Sequence, residues 1–303
     1  MSEPDHQTPA DESTIDLPPP APTAPPSVRV EFGARTHVGK VRHNNEDRHL
    51  IARLSKSLQV LRTDLPRGNA PRVWGEEGYL LAVADGMGGA AAGERASALV
   101  VEGLEEYVLE VFKWFSHPGD PQEDAFMDQI RTGLEWLDRT VIDEAQADRS
   151  LAGMGTTLTS AISTGADLLV IHVGDSRAYL FHERHLEQLT RDHTVTQMLI
   201  EGGLLRPEEA WSHRRRHVIT NVLGGPERGV RGEVHKLRLA DGDRLLLCTD
   251  GLSEPVGDEQ IAELLGLHPD PEDACQALVD AALNHGGPDN VTAVLAAYTI
   301  TAQ

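Results

Sequence analysis

Apolar residues recur along this chain at two spacings, and the changes of spacing mark its elements. Val28-Arg29-Val30-Glu31-Phe32 alternates apolar with polar, the period of a strand. Tyr79-Leu80-Leu81-Ala82-Val83-Ala84 is a short apolar run that stops at Asp85-Gly86 and predicts a second strand. The spacing then shifts to three and four. Ala96, Leu99, Val100, Leu104, Tyr107, Val108 and Val111 predict one helix, and Phe126, Ile130, Leu134, Leu137 and Val141 a second. Strand signals follow at Thr156–Ser163, Leu168–Val173, Ala178–Phe181, Val234–Leu239, Leu245–Cys248 and Val291–Tyr298. The polar turns Thr164-Gly165-Ala166-Asp167 and Ala240-Asp241-Gly242-Asp243 are short enough for hairpins. Thr194–Asn221 reads as a polar, helical excursion, and Asp258–Leu265 and Glu272–His285 as two more helices. Arg53–Gly78 is polar, contains Gly and Pro, and has no period, which predicts a surface loop. This order favours an α+β fold of packed antiparallel sheets with segregated helices over a doubly wound parallel sheet.

Residues 1–27 follow neither period. They hold eight of the chain's 18 prolines and five acids, with no Lys or Arg. Such a segment buries too little surface to offset its ordering entropy, so a disordered tail is expected before one folded domain at 28–303. Charge narrows the partners. Lys plus Arg is 27 against 48 for Asp plus Glu, a net charge of −21. That balance repels nucleic acid and anionic membrane surfaces, and it attracts divalent cations where carboxylates converge. Two cysteines, Cys248 and Cys275, are too few for a disulfide scaffold and lack a paired metal or redox spacing. Without a basic and apolar N-terminal leader or an apolar span, a cytoplasmic protein is expected.

Five acids stand out. Asp47, Asp85, Asp175, Asp250 and Asp289 lie beside glycine or another tight-turn residue, read as at or just beyond the ends of apolar strand runs. Any one of them is ordinarily a turn acid. Five spread along the chain are instead expected to converge at a sheet edge, with a glycine allowing a backbone carbonyl to approach a cation too. Hard oxygen ligands suit Mg²⁺ or Mn²⁺ rather than zinc. Asp85-Gly86-Met87-Gly88-Gly89 lacks the Gly-Lys-Ser/Thr ending of a phosphate-binding nucleotide loop.

Six ordered segments carry a resemblance. They are Arg42…Asn45-Glu46-Asp47, Asp85-Gly86-Met87-Gly88-Gly89, Gly155-Thr156-Thr157, Gly174-Asp175-Ser176-Arg177, Cys248-Thr249-Asp250-Gly251 and Gly287-Pro288-Asp289-Asn290-Val291-Thr292. Together the chain from about Val28 onward resembles the metal-dependent serine/threonine protein phosphatases of the PPM (type 2C) family, in their bacterial form. The resemblance implies two packed antiparallel β-sheets flanked by helices, an α-β-β-α sandwich. It implies that Asp85 bridges two divalent ions, Mg²⁺ or Mn²⁺. Asp250 and Asp289 would complete one ion; the Gly86 carbonyl and Glu46 or Asp47, directly or through water, would serve the other. Asp175 would join Asp250 at a weaker third ion, and Arg42 would hold the substrate phosphate. Thr194–Asn221 would be the family's variable flap. The implied reaction is hydrolysis of phosphoserine or phosphothreonine in proteins by direct attack of a metal-activated bridging water. A bacterial serine/threonine kinase is the expected opposing partner, and the enzyme is expected to be a monomer.

The chemistry suits these residue types. A phosphomonoester dianion repels an anionic nucleophile, so neutralisation and alignment are needed. Arginine matches phosphate with a bidentate fork that lysine lacks. Two departures qualify the match. Met87 and Ala90 stand where relatives carry a histidine able to protonate the leaving group, and Arg53–Gly78 separates Asp47 from Asp85. Two rivals stay open: a pseudophosphatase that only binds, and a two-metal nuclease or small-molecule phosphoesterase. Arg206 and Arg214-Arg215-Arg216 form a basic island, either a solvated charge run or a steering patch for phosphorylated substrate. His193 is a candidate for positioning the flap.

Overall fold

A computed structural model of the chain describes residues 27–58, 74–111, 123–225 and 229–301. Two five-stranded antiparallel sheets stack face to face. The first runs β1 (Ser27–His37), β12 (Val291–Thr301), β11 (Arg244–Cys248), β8 (Arg177–His182) and β9 (His185–Gln188). The second runs β10 (Glu233–Arg238), β7 (Asp167–Val173), β6 (Leu158–Thr164), β3 (Trp74–Ala84) and β2 (Arg48–Leu58). A small ladder joins β4 (Gly86–Met87) to β5 (Gly155–Thr156).

The period of two explains the layering. Along β3, Leu81 and Val83 enter the core between the sheets, where they meet Leu245 and Leu247 of β11 and Val294 and Ala296 of β12. Their neighbours Leu80 and Ala82 face outward, onto α1 (Ala90–Val111) and α2 (Glu123–Ala147). On the other sheet Leu246, Cys248 and Leu295 face α5 (Asp258–Leu267) and α6 (Pro271–Asn284). Helices therefore cover both outer faces, and central strands buried on both sides read as unbroken apolar runs. The α-β-β-α sandwich expected from the sequence is the fold. Cys248 and Cys275 are both buried among apolar neighbours, and neither forms a disulfide.

Several boundaries differ from expectation. The Arg53–Gly78 insertion is not wholly a loop. Its ends continue the β2–β3 hairpin, with Leu54 opposite Gly78 and Leu58 opposite Trp74. β2 is an edge strand, and polar residues on an edge hide the alternation that Leu50, Ala52 and Leu54 keep toward the core. Residues 59–73 lie outside the described residues, as does the expected tail except Ser27, which begins β1. The polar excursion contains α3 (Val195–Glu201) and a 3₁₀ turn at Pro207–Ser212. Among the described residues no helix is long and apolar enough to cross a membrane.

Candidate metal centre

The five acids meet at one edge of the sandwich, by two routes. Asp85 follows β3, Asp175 follows β7, and Asp250 opens the single-turn helix α4 (Asp250–Ser253) after β11. Asp47 and Asp289 instead come just before β2 and β12, which corrects the expectation that each acid ends a strand. Antiparallel pairing is the reason. Arg48 lies opposite Ala84, and Ala293 opposite Cys248, so one strand's beginning shares an edge with its neighbour's end.

Hydrogen bonds fix Asp85 and Asp47. The Asp85 amide donates to the Thr157 hydroxyl at 3.0 Å, and its carbonyl accepts from the Thr157 amide at 2.9 Å and the Thr156 hydroxyl at 2.8 Å. The Thr157 hydroxyl also meets the Ser176 hydroxyl at 2.8 Å, which ties Asp85 to the turn carrying Asp175. Thus Gly155-Thr156-Thr157, a motif without a role at the sequence level, fixes the central acid. Asp47 is 2% exposed, and its Oδ2 accepts from Thr249 at 2.9 Å and from Thr292 at 2.6 Å.

Asn290 is a site residue that the sequence reading passed over. Its Oδ1 accepts from the Glu46 amide at 2.7 Å, while its Nδ2 donates to the Val38 and Asn44 carbonyls at 2.9 Å each. One buried amide thus staples the loop bearing Arg42, Glu46 and Asp47 to the turn that carries Asp289 into β12. Glycines allow the closest approaches. A Cβ on Gly86 would lie 2.1 Å from the Gly93 carbonyl oxygen, and one on Gly251 would lie 1.8 Å from that of Asn290. Asn290→Ala should lower thermal stability by about 3 kcal/mol, near 1 kcal/mol for each of three lost bonds. A thermal melt within a degree of the parent's would refute the staple.

Electrostatics show what the edge lacks. Burial raises the Asp85 carboxyl well above the ordinary range, and Asp47, Asp250, Asp175 and Asp289 raise it further. Asp250 is likewise raised by burial, then by Asp175, Glu254, Asp289 and Asp47. Asp47 and Asp175 are pushed up to about 7, chiefly by burial. Asp47 Oδ1, Asp175 Oδ1 and Asp250 Oδ1 are buried with no hydrogen-bond partner. Orphaned carboxylate oxygens that raise one another's pKa fit divalent cations, which would supply both partners and countercharge. The donor set is all oxygen, as Mg²⁺ and Mn²⁺ prefer.

Two assigned residues sit less simply. Arg42 is more than half exposed and donates to Asp289 Oδ2 at 2.7 Å, an ion pair between an expected phosphate holder and an expected metal ligand. Asp289, Glu46 and Asp85 all raise its pKa, which keeps the guanidinium over the cluster. The Glu46 side chain lies against Gly93, where a Cβ would come within 1.9 Å of Oε2. Burial raises its carboxyl too.

His193 ties the 194–221 segment to the acid-bearing turn. Its Nδ1 accepts from the Gly174 amide and faces Asn221 Nδ2, both at 3.0 Å. Its backbone amide donates to the Gly174 carbonyl, and its carbonyl accepts from Thr220, both at 2.7 Å. Beside it Arg177 forms a bidentate pair with Asp192 at 2.8 and 2.7 Å. His172, His193 and Glu233 also cluster, but Thr159 and the Arg191 carbonyl occupy both nitrogens of His172. That group is a hydrogen-bonded cluster rather than an open ligand set.

Known proteins resemble this chain in sequence and fold. The chain is 41% identical over 217 residues to the serine/threonine protein phosphatase PstP of Mycobacterium tuberculosis, across 72% of this chain and 40% of PstP. It is 29% identical over 267 residues to the serine/threonine phosphatase stp of Listeria monocytogenes, covering 88% of this chain and 95% of that protein. The crystal structure of the PstP catalytic domain in complex with two manganese ions superposes with a TM-score of 0.69 at 34% identity, over 90% of this chain and 100% of that one. The protein phosphatase 2C family pattern matches residues 61–298, and with the sandwich and its acidic edge this establishes that the chain belongs to the protein phosphatase 2C family.

Proposed function

We propose that this protein is a metal-dependent phosphatase that hydrolyses phosphoserine and phosphothreonine in proteins. One observation carries the reading: three buried carboxylate oxygens, on Asp47, Asp175 and Asp250, stand without partners around Asp85. Two Mg²⁺ or Mn²⁺ ions bound there would supply charge neutralisation and a water of lowered pKa. Asp85 is the central ligand, its backbone fixed by Thr156 and Thr157. Asp250 and Asp289 would hold one ion, while the Gly86 carbonyl and Glu46 or Asp47, directly or through water, would serve the other. Asp175 would share a weaker third ion with Asp250. Thr249 and Thr292 occupy one oxygen of Asp47 and turn the other toward its task.

Arg42 receives the phosphate. Its present partner is Asp289 Oδ2, and with Asp289 engaged by an ion the guanidinium would be available to a phosphoryl oxygen. A cavity of about 450 Å³ between the 194–216 stretch and α4–α5, lined by Gln197, Arg216, Glu254 and Asp258, gives room for peptide beside the phosphorylated residue. The named relatives are serine/threonine phosphatases, which supports this substrate class and a serine/threonine kinase as the opposing enzyme. The retained Asp85, Asp250 and Asp289 favour catalysis over a binding-only pseudophosphatase. The net charge of −21 disfavours a nuclease.

The test is release of phosphate from a phosphothreonine peptide with Mn²⁺, with EDTA as control; no release with Mn²⁺ overturns the proposal. Arg42→Ala should raise KM for the peptide by the equivalent of about 1.5–3 kcal/mol, the worth of a charge-assisted contact. Metal affinity measured by calorimetry should hold or improve, because Asp289 loses a competing partner. Weakened metal binding at constant KM would show that Arg42 serves the ligands instead.

A further inference from the structure

His217 lies in the polar segment where the sequence offered no reason to single it out. Its Nδ1 stands 2.8 Å from Glu254 Oε1. One ligand atom from each of His217, Asp250 and Glu254 lies within 4.8 Å of the other two. Asp250 and Glu254 are four residues apart on one helical turn, where the Glu254 amide donates to the Asp250 carbonyl at 2.8 Å. That spacing sets both carboxylates on the same side. Asp175 is only 8% exposed, and its Oδ1 and that of Asp250 have no partner.

We infer that His217 and Glu254 complete the third cation site, so that the 194–221 segment itself supplies a metal ligand. The inference rests on the phosphatase reading for Asp175 and Asp250 and extends it to two residues nothing else assigns. Two ligand atoms about 2.1 Å from one octahedral ion sit about 3 Å apart, which is the His217–Glu254 separation. His217 is about half exposed and Glu254 a third, so an ion reaches them from solvent. The segment is held in place to do this. The Val195 amide donates to the Val218 carbonyl at 2.9 Å, next to His217, and the Thr194–Ile219 bridge closes the same root. An imidazole among carboxylates changes selectivity as well. It favours Mn²⁺ and its transition-metal neighbours over Mg²⁺, which takes oxygen.

Pulsed electron paramagnetic resonance of the tag-free full chain tests this, since the proposed core ligands are all oxygen. As Mn²⁺ is raised past two equivalents, a ¹⁴N coupling from directly bound imidazole should appear. His217→Ala should abolish it and weaken the third Mn²⁺ by about ten- to hundredfold, with a smaller effect on Mg²⁺. His213→Ala, on the same stretch, should keep the coupling. No nitrogen coupling at any Mn²⁺ concentration, or coupling that survives His217→Ala, overturns the assignment. Phosphothreonine hydrolysis by the same wild-type preparation separates the two ideas. Hydrolysis without nitrogen coupling overturns the ligand alone, whereas coupling without hydrolysis supports the ligand and overturns the phosphatase reading.

Discussion

Asp85→Asn is expected to lower kcat by several orders of magnitude and, in the same protein, to raise the melting temperature without metal. The two effects share a cause. Burial and four neighbouring carboxylates all oppose charge on Asp85, so the metal-free fold tolerates it at a cost. Asparagine keeps the shape and removes the charge. The fold is spared because Thr156 and Thr157 hold the Asp85 backbone rather than its side chain. Turnover should fall because the carboxylate proposed to serve both core ions would be gone. Phosphopeptide kinetics at saturating Mn²⁺ and a melt in EDTA decide the matter. Parent-like turnover sinks the metal assignment, and a lowered metal-free melting temperature sinks the account of repulsion.

Without metal, stability should fall as pH rises from about 5 to about 8, the reverse of a protein held by ordinary paired carboxylates. The sign follows from the direction of the shifts. Asp47 and Asp175 are raised to about 7, and Asp85 and Asp250 are raised as well. A carboxyl with a raised folded pKa keeps its proton in the folded state after the unfolded chain has released it. The folded state then binds more protons, so stability is fullest below the unfolded pKa and is lost as pH climbs to the folded value. Divalent cations should reverse the trend, since they bind the deprotonated cluster. Saturating Mn²⁺ should raise the melting temperature by at least about 5 °C more at the alkaline end than at the acid end. A metal-free profile that rises toward pH 8 would contradict the convergence of these acids.

Much of this was legible in the residues. Unbroken apolar runs marked the central strands because both faces of each are buried, and three-and-four spacing marked α1 and α2. The five acids were recoverable because each adjoins a tight turn. Their convergence was harder: Asp47 and Asp289 precede strands, and only the antiparallel register brings them to Asp85. β2 escaped notice because an edge strand can be polar on its open side. Asn290 lay in a quoted motif, yet its three bonds reach residues 38–46, a separation no local pattern reports. His217 was illegible for the same reason. Its partner Glu254 is far along the chain, and neither residue has a spacing that marks a ligand.

The place of β12 has a consequence for biosynthesis. It lies between β1 and β11, paired to both, so among the described strands the first waits for the last before its sheet can close. Asp289 and the Asn290 staple arrive only with that strand. A nascent chain on the ribosome can assemble β2, β3, β6, β7 and β10 with α1 and α2, yet it cannot form the acidic edge. A chain truncated before β12 would lack Asp289, the Asn290 staple and the strand that joins β1 to β11.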